Sequence, residues 1–281
     1  MIMSPKQLRK RSANTLRFMI ILLIIGFFLF PVYWIFVTSL KQMIEMFKLP
    51  PVWIGFTPTF ENFRFVLQTM HVGRWTLNSV SISLGTMVLS LLLGVPAGYA
   101  FSRLRFRGKY LLLTFILMTR ALPPVTIALP FRIIMHSMGL FGTRLAVILI
   151  DTVYNASFTT WLMAGIFENI PQELEEAAII DGCSPMAAFF RIAVPLSLPG
   201  LVTSALFAFI YSWNDFLFAM TLTTPQTATL PIGMLSTFGM LSVGWTNMAA
   251  MGVIAVLPVV GLSLLLQKYY MSGLTFGGVK G

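Results

Sequence analysis

The sequence predicts an all-α membrane protein with six transmembrane helices. Two observations lead there. The chain has 281 residues and a mean hydropathy of +0.85, with 57% apolar and only 10% charged residues. A soluble domain carries about 25% charged residues, and so few charges cannot cover a water-facing surface. The apolar residues also gather in runs near the roughly 20 residues that a helix needs to cross the hydrocarbon core.

The first run is Phe18–Leu40, behind a basic segment from Lys6 to Arg17. That charge pattern resembles a signal peptide. The apolar run is too long for one, however, and Ser39-Leu40-Lys41 is not a small-residue cleavage site, so the run reads as an uncleaved span. The second span is Thr76–Phe101 and the third Tyr110–Met135, interrupted by Pro123, Pro124 and Pro130. Proline removes backbone donors, so such a helix persists in lipid only where neighbours satisfy the freed carbonyls, inside the bundle. The fourth span is Arg144–Phe167, the fifth Pro199–Leu222 and the sixth Asn247–Tyr269. The division is an N-terminal tail 1–17, a six-span domain 18–270 and a C-terminal tail 271–281. Gly94, Ala97 and Gly98 suit close helix contact in the second span.

The net charge of +10 invites a nucleic-acid reading, but its distribution points to topology. Lys6, Arg9, Lys10, Arg11, Arg17, Arg103, Arg105, Arg107, Lys109, Arg191, Lys268 and Lys280 fall on one side of the six spans. Positive residues in short loops mark the cytoplasmic face, which places both termini there. On the other side, Thr223–Thr246 carries no charge and is expected to fold back on protein or into a cavity mouth. The one cysteine, Cys183, excludes an intrachain disulfide, and His71 and His136 lack neighbours at ligand spacing. No metal or cofactor on this chain is expected.

Charges at membrane depth are costly unless paired or wet. Arg120 lies mid-way along the third span and Asp151 about two turns into the fourth. They are expected to face the interior and pair, or Asp151 to meet a solute. Asn155 lies one turn from Asp151 on the same helix face. With Trp213 and Asn214, and with Asp215 beside them, these residues are the candidates for a polar pathway.

Residues 168–198 hold most of the acids, Glu168, Glu173, Glu175, Glu176 and Asp181. They read as two short helices. Pro171 suits a first helical position, and the glutamates suit the positive end of the helix dipole. Gly182 can take the left-handed conformation that ends a helix, and Ser184-Pro185 reads as N-cap and first turn of the next. The second helix is expected over Met186–Val194, stopping at Pro195. A rigid helix–glycine–helix elbow with a mostly acidic, small-residue first half suits docking on another protein; as an interfacial cap on the bundle it would serve structure alone.

Glu176-Ala177-Ala178-Ile179-Ile180-Asp181-Gly182, nine residues, then Ile192-Ala193-Val194-Pro195, resembles the EAA motif of ABC importer permeases. Val194 stands where that pattern usually has Leu. Pro31-Val32-Tyr33-Trp34, Ser39-Leu40-Lys41, Asn78-Ser79, Gly98-Tyr99-Ala100-Phe101-Ser102-Arg103, Phe106-Arg107-Gly108-Lys109, Trp213-Asn214-Asp215-Phe216-Leu217, Gly273-Leu274 and Lys280-Gly281 are similar to the smaller permease of maltose-type carbohydrate importers.

The resemblance implies a type I importer fold in the bacterial inner membrane. It implies partnership with a second permease of different sequence, two ATPase subunits carrying ATP and Mg, and an extracytoplasmic solute-binding protein delivering a sugar or sugar derivative. ATPase coupling would fall on Glu173, Glu176, Ala177, Ala178, Asp181, Gly182, Ile192 and Pro195. Binding-protein contact would fall on Leu230, Pro231, Gly233, Gly244 and Trp245, in the stretch reaching through Val243. The chain itself has no G-x-x-x-x-G-K-[ST] phosphate loop and is expected to be non-catalytic. The alternative is a secondary transporter driven by an ion gradient, which predicts inverted halves and buried carboxylates in broken helices. An intramembrane enzyme would need a nucleophile or metal constellation within the spans.

Overall fold

The computed structural model describes residues 5–238 and 244–275, with side chains over 14–238 and 244–268. The described residues are helical nearly throughout. In chain order they form α1 (Pro5–Ser39), α2 (Glu61–Gln68), α3 (Val72–Arg103), α4 (Lys109–Met118), α5 (Pro124–Ser137), α6 (Arg144–Glu168), α7 (Glu173–Ile180), α8 (Pro185–Ala188), α9 (Val194–Leu196), α10 (Leu198–Trp213), α11 (Leu217–Leu222), α12 (Leu230–Met234) and α13 (Trp245–Thr275).

Four helices are long and apolar enough to cross a bilayer alone: α1, α3, α6 and α13. The expected third and fifth spans are bent. Helices α4 and α5 meet at 90°, and the α8–α9 segment meets α10 at 77°. Counting each bent pair as one crossing gives six. The third break falls at Leu122-Pro123-Pro124, where two successive prolines cannot donate and Leu122 is extended (ψ 129°). Pro130, by contrast, stays inside α5. The fifth span also differs from expectation: α10 stops at Trp213, and α11 restarts where Asp215 accepts from the amides of Phe218 (3.3 Å) and Ala219 (2.8 Å). Residues 5–17, expected as a tail, belong to α1, and α13 runs on to Thr275.

The chain divides into two compact units. The larger holds His71–Ser236 with Ala255–Gly281. Its centre is the packing of α3 on α6, with α10 against both. Small residues let these backbones approach. A Cβ on Gly98 would lie 2.9 Å from both Ala164 N and Thr160 O, and one on Gly94 2.6 Å from Thr159 Cβ. Apolar residues fill one end of this unit, with Ile82, Val147, Ile150, Tyr154, Phe218 and Leu222 in one cluster. At the other end Val95, Met163 and Phe167 of the long helices pack with Phe189 and Ala193.

The stretch after α11 folds back on this unit, as its lack of charge suggests. Thr227 Oγ1 donates to Gly142 O (2.8 Å), Asn78 Nδ2 to Ala228 O (2.8 Å) and Leu230 N to Ser79 Oγ (2.9 Å). Helix α12 then rests its Gly233 on the face of Trp75.

The smaller unit holds Met1–Met70 with Thr237–Ile254. Its fixed point is the turn after α1. Asn62 Nδ2 donates to Ser39 O (2.9 Å) and Lys41 O (2.8 Å). Lys41 is almost fully enclosed: its ammonium donates to Val52 O and faces the rings of Trp34 (4.7 Å) and Phe56 (5.3 Å). Burial pushes the Lys41 pKa down, partly opposed by the charge of Glu45.

The approach at Gly98 gives a direct prediction. Gly98→Ala should destabilise the protein by about 1–3 kcal/mol, the usual cost of overpacking. Gly26→Ala, whose new methyl would meet nothing within 4 Å, should be neutral. Thermal unfolding of the detergent-extracted protein measures both.

Candidate functional site at the helix–glycine–helix elbow

The elbow begins at Gln172, the residue before α7, rather than at Pro171 as expected. Glu173, Glu175 and Glu176 occupy the first turn, at the positive end of the helix dipole. The exit is a Schellman motif. Cys183 N bonds to Ala178 O (2.9 Å), Gly182 N bonds to Ile179 O (3.0 Å), and Gly182 has φ +93°. A side chain at that φ costs about 1–2 kcal/mol. Ser184 then caps α8 by accepting from Ala187 N at 3.2 Å, with Pro185 in the first turn.

Pro195 does not end the second helix. A π turn over Phe189–Ala193 widens the helix just before it, and α9 continues through Pro195 to Leu196. The wider turn relieves the clash a proline ring would make with the carbonyl four residues back. It also sends Phe189 and Ala193 into the core while Phe190 stays exposed.

The root of the elbow is fastened by one side chain that residue types alone do not single out. Glu175 is buried and meets the end of α3. Arg103 reaches its Oε1 from Nε (2.9 Å) and Nη2 (2.6 Å), and Tyr99 OH donates to its Oε2. The same guanidinium donates to Phe167 O (2.8 Å), in the last turn of α6, and to Ile170 O (3.1 Å), just beyond it. The Tyr99 ring packs edge-on to Phe167 (5.4 Å) and against Phe189 (4.6 Å). A second, more exposed pair joins Lys109 to Glu168 at 3.2 Å. Arg103 was legible in principle, as the first cation after an apolar span, on the same side of the spans as most of the chain's acids.

The outward face of the elbow differs from the acidic, small-residue surface expected. Glu173, Glu176, Ala177, Asp181, Gly182 and Pro195 are exposed, Ile192 is half-buried and Ala178 is buried. Beside them stand Ile180, 85% exposed, with Leu174, Ile179, Met186 and Phe190. The tip is an apolar knob edged by carboxylates.

The other candidates separate. Asp151 is fully enclosed and accepts from Ser212 Oγ at 2.6 Å, and Ser212 Oγ lies 3.2 Å from Thr86 Oγ1. Asn155 donates to Asp151 O (2.8 Å), so these two are brought together. Arg120 does not pair with Asp151. Its guanidinium faces the rings of Phe158 (4.7 Å) and Tyr211 (5.3 Å) instead. Trp213 is buried, its Nε1 donating to Ala255 O (3.1 Å), whereas Asn214 is exposed and folds back on Ile210 O (2.8 Å). Leu230 and Gly233, expected to reach a binding protein, are buried against α3 instead. Pro231 and Gly244 are half-buried and Trp245 is exposed. Val243 and the terminal Lys280-Gly281 lie outside the described residues.

Residues 90–275, from the middle of α3 through α13 and so including the whole elbow, match the binding-protein-dependent transport system inner membrane component family. The chain belongs to this family. It is 36% identical over 273 residues to the sulfoquinovosyl glycerol transport system permease protein SmoH of Agrobacterium fabrum, covering 96% of this chain and 95% of that one. It is 35% identical over 264 residues to the trehalose transport system permease protein SugB of Mycobacterium tuberculosis, covering 92% and 95%. Among solved structures, a chain of a bacterial ABC transporter involved in the import of the acidic polysaccharide alginate superposes with a TM-score of 0.77 at 26% identity, covering 96% of this chain and 99% of that one. The protein is thus an inner-membrane permease subunit of a binding-protein-dependent importer, and its all-α fold is of the type I importer class.

For this permease, the clamp predicts a local loss of order. Arg103→Ala leaves Glu175 without its cation, held by Tyr99 alone, and strips a donor from Phe167 O and Ile170 O; removing one partner of a buried ion pair costs about 3–5 kcal/mol. Hydrogen exchange should speed up over α7 and α8 and stay unchanged in the middle of α6.

Proposed function

We propose that this permease forms half of a translocation pathway for a sugar or sugar derivative and that its elbow, Glu173–Pro195, seats in an ATPase subunit. Both termini and the elbow then lie on the cytoplasmic side, as the distribution of Lys and Arg favours. The observation that carries the reading is the contrast within the elbow. Its root is clamped to α3 and α6 through Glu175 and Arg103, while its tip presents Ile180 and Met186 to solvent. Such an element passes displacement at its tip to α3 and α6. The names of SmoH and SugB, and the alginate importer, favour a carbohydrate as the solute.

Each elbow residue then has a physical task. Gly182 supplies the left-handed turn that sets α8 against α7. Glu173, Glu176 and Asp181 offer carboxylates to basic or amide groups around an ATPase groove, and Ala177 allows close approach. Ala178, Ile192 and Pro195 hold the inner face and the widened turn. ATP and Mg act on two partner ATPases; this subunit is non-catalytic and supplies lever and pathway. A second permease completes the bundle, and an extracytoplasmic binding protein delivers the solute. Asp151 and Asn155 form a polar seam inside the bundle, and Asn214 stands exposed beside it. Among Leu230, Pro231, Gly233, Gly244 and Trp245, Trp245 offers the binding protein an exposed ring.

Gly182→Pro and Glu176→Lys should leave the assembled transporter in the membrane with basal ATP hydrolysis but without solute uptake. Coupled uptake at the wild-type rate in both variants would refute the lever. Orientation is checked separately with Ile180→Cys in a Cys183→Ser background. A membrane-impermeant maleimide should label it in inside-out vesicles and not in right-side-out ones.

A further inference from the structure

At the Arg103 end of the larger unit, the turn between α3 and α4 encloses an open groove of about 600 Å³. It is lined by Ser102–Leu111 together with Gln172 at the start of the elbow. Gly108, at φ +82°, makes the reversal that folds Arg105, Arg107 and Lys109 around one concave space. Lys109 is held in place by Glu168. Arg105 and Arg107 have no acidic partner among the described residues. The topology rule accounts for basic residues in this loop. It does not require that they converge on a groove.

The rim carries the second observation. Leu104, Phe106, Tyr110 and Leu111 are all exposed around the basic cluster, Leu111 at 77%. The exposed strip continues along α4 through Leu112 and Phe115. Cations at the mouth and an apolar track leading away along α4, one half of the bent third span, match the two halves of a lipid.

We propose that this groove binds the phosphodiester head group of an anionic membrane phospholipid, with an acyl chain laid along α4. Arg105 and Arg107 meet the phosphate oxygens, for which the guanidinium fork is suited. The acyl chain covers Leu111 and Phe115. A zwitterionic lipid carries its own cation and fits a groove that already holds three less well. The site borders Gln172, so an occupied groove also buttresses the root of the elbow. The assignment needs only that α3 crosses a bilayer and that α4 lies in its apolar layer; it does not depend on which face is cytoplasmic or on the solute.

The test uses the assembled transporter in nanodiscs of phosphatidylcholine alone or with phosphatidylglycerol. Hydrogen exchange of the amides of Leu104–Leu111 should slow at least severalfold with phosphatidylglycerol and not with phosphatidylcholine. Native mass spectrometry after a delipidating wash should find phosphatidylglycerol retained by the wild type and by Arg105→Lys/Arg107→Lys, but not by Arg105→Gln/Arg107→Gln. Equal protection in both lipids would overturn the proposal, and that outcome does not depend on whether a variant folds. Displacement of the lipid by millimolar inorganic phosphate, or the same protection from phosphate alone, would reassign the groove to a free anion. Retention of phosphatidylglycerol by the glutamine variant at the wild-type level would also overturn it.

Discussion

The ion pair between Arg103 and Glu175 is the constraint on which the mechanical reading depends. One guanidinium closes the end of α3, satisfies carbonyls at and just beyond the end of α6, and grips the first turn of α7. A buried ion pair seldom adds much net stability, because both charges must be desolvated. What it supplies here is a fixed geometry. Without it α7 would hang from the membrane domain by a short turn and the inward packing of Phe189. With it the elbow is a continuation of α3 and α6.

The rest of the larger unit suits that role. Backbones at Gly94 and Gly98 come close enough to leave no slack between α3 and α6. Ser212 of α10 joins them by polar contact, lying between Thr86 of α3 and Asp151 of α6. Hydrogen bonds across apolar helices fix register more sharply than aliphatic contact does. The bends lie elsewhere, at Leu122-Pro123 and at Ser197, where the helices can change angle without breaking the α3–α6 contact. The fold thus separates stiff elements from hinges.

Much of this was legible in the sequence, for identifiable reasons. Six apolar segments, the left-handed Gly182, the Ser184 cap and the inward Gly98 follow from local rules that tertiary packing reinforced. The failures have equally specific causes. Pro195 was read as a stop because a π turn cannot be seen in residue types. Glu175 was passed over because three adjacent glutamates look alike until the helix phase says which one faces inward. Arg120 and Asp151 were matched as opposite charges at similar depth, but depth along a helix does not give direction around it. Leu230 and Gly233 read as a probe, although a glycine two residues after a proline serves equally well to lay a short helix flat on Trp75.

The most direct test of the central claim is a distance inside the assembled transporter. Spin labels at Ile180, on the tip of the elbow, and at Leu92, on the outer face of α3, can be measured by pulsed electron resonance with and without ATP. If the clamp makes the elbow part of the core, that distance stays constant while the transporter changes state. A change of about one helical turn or more, ~5 Å, would show the elbow swinging on its own root and would contradict the account.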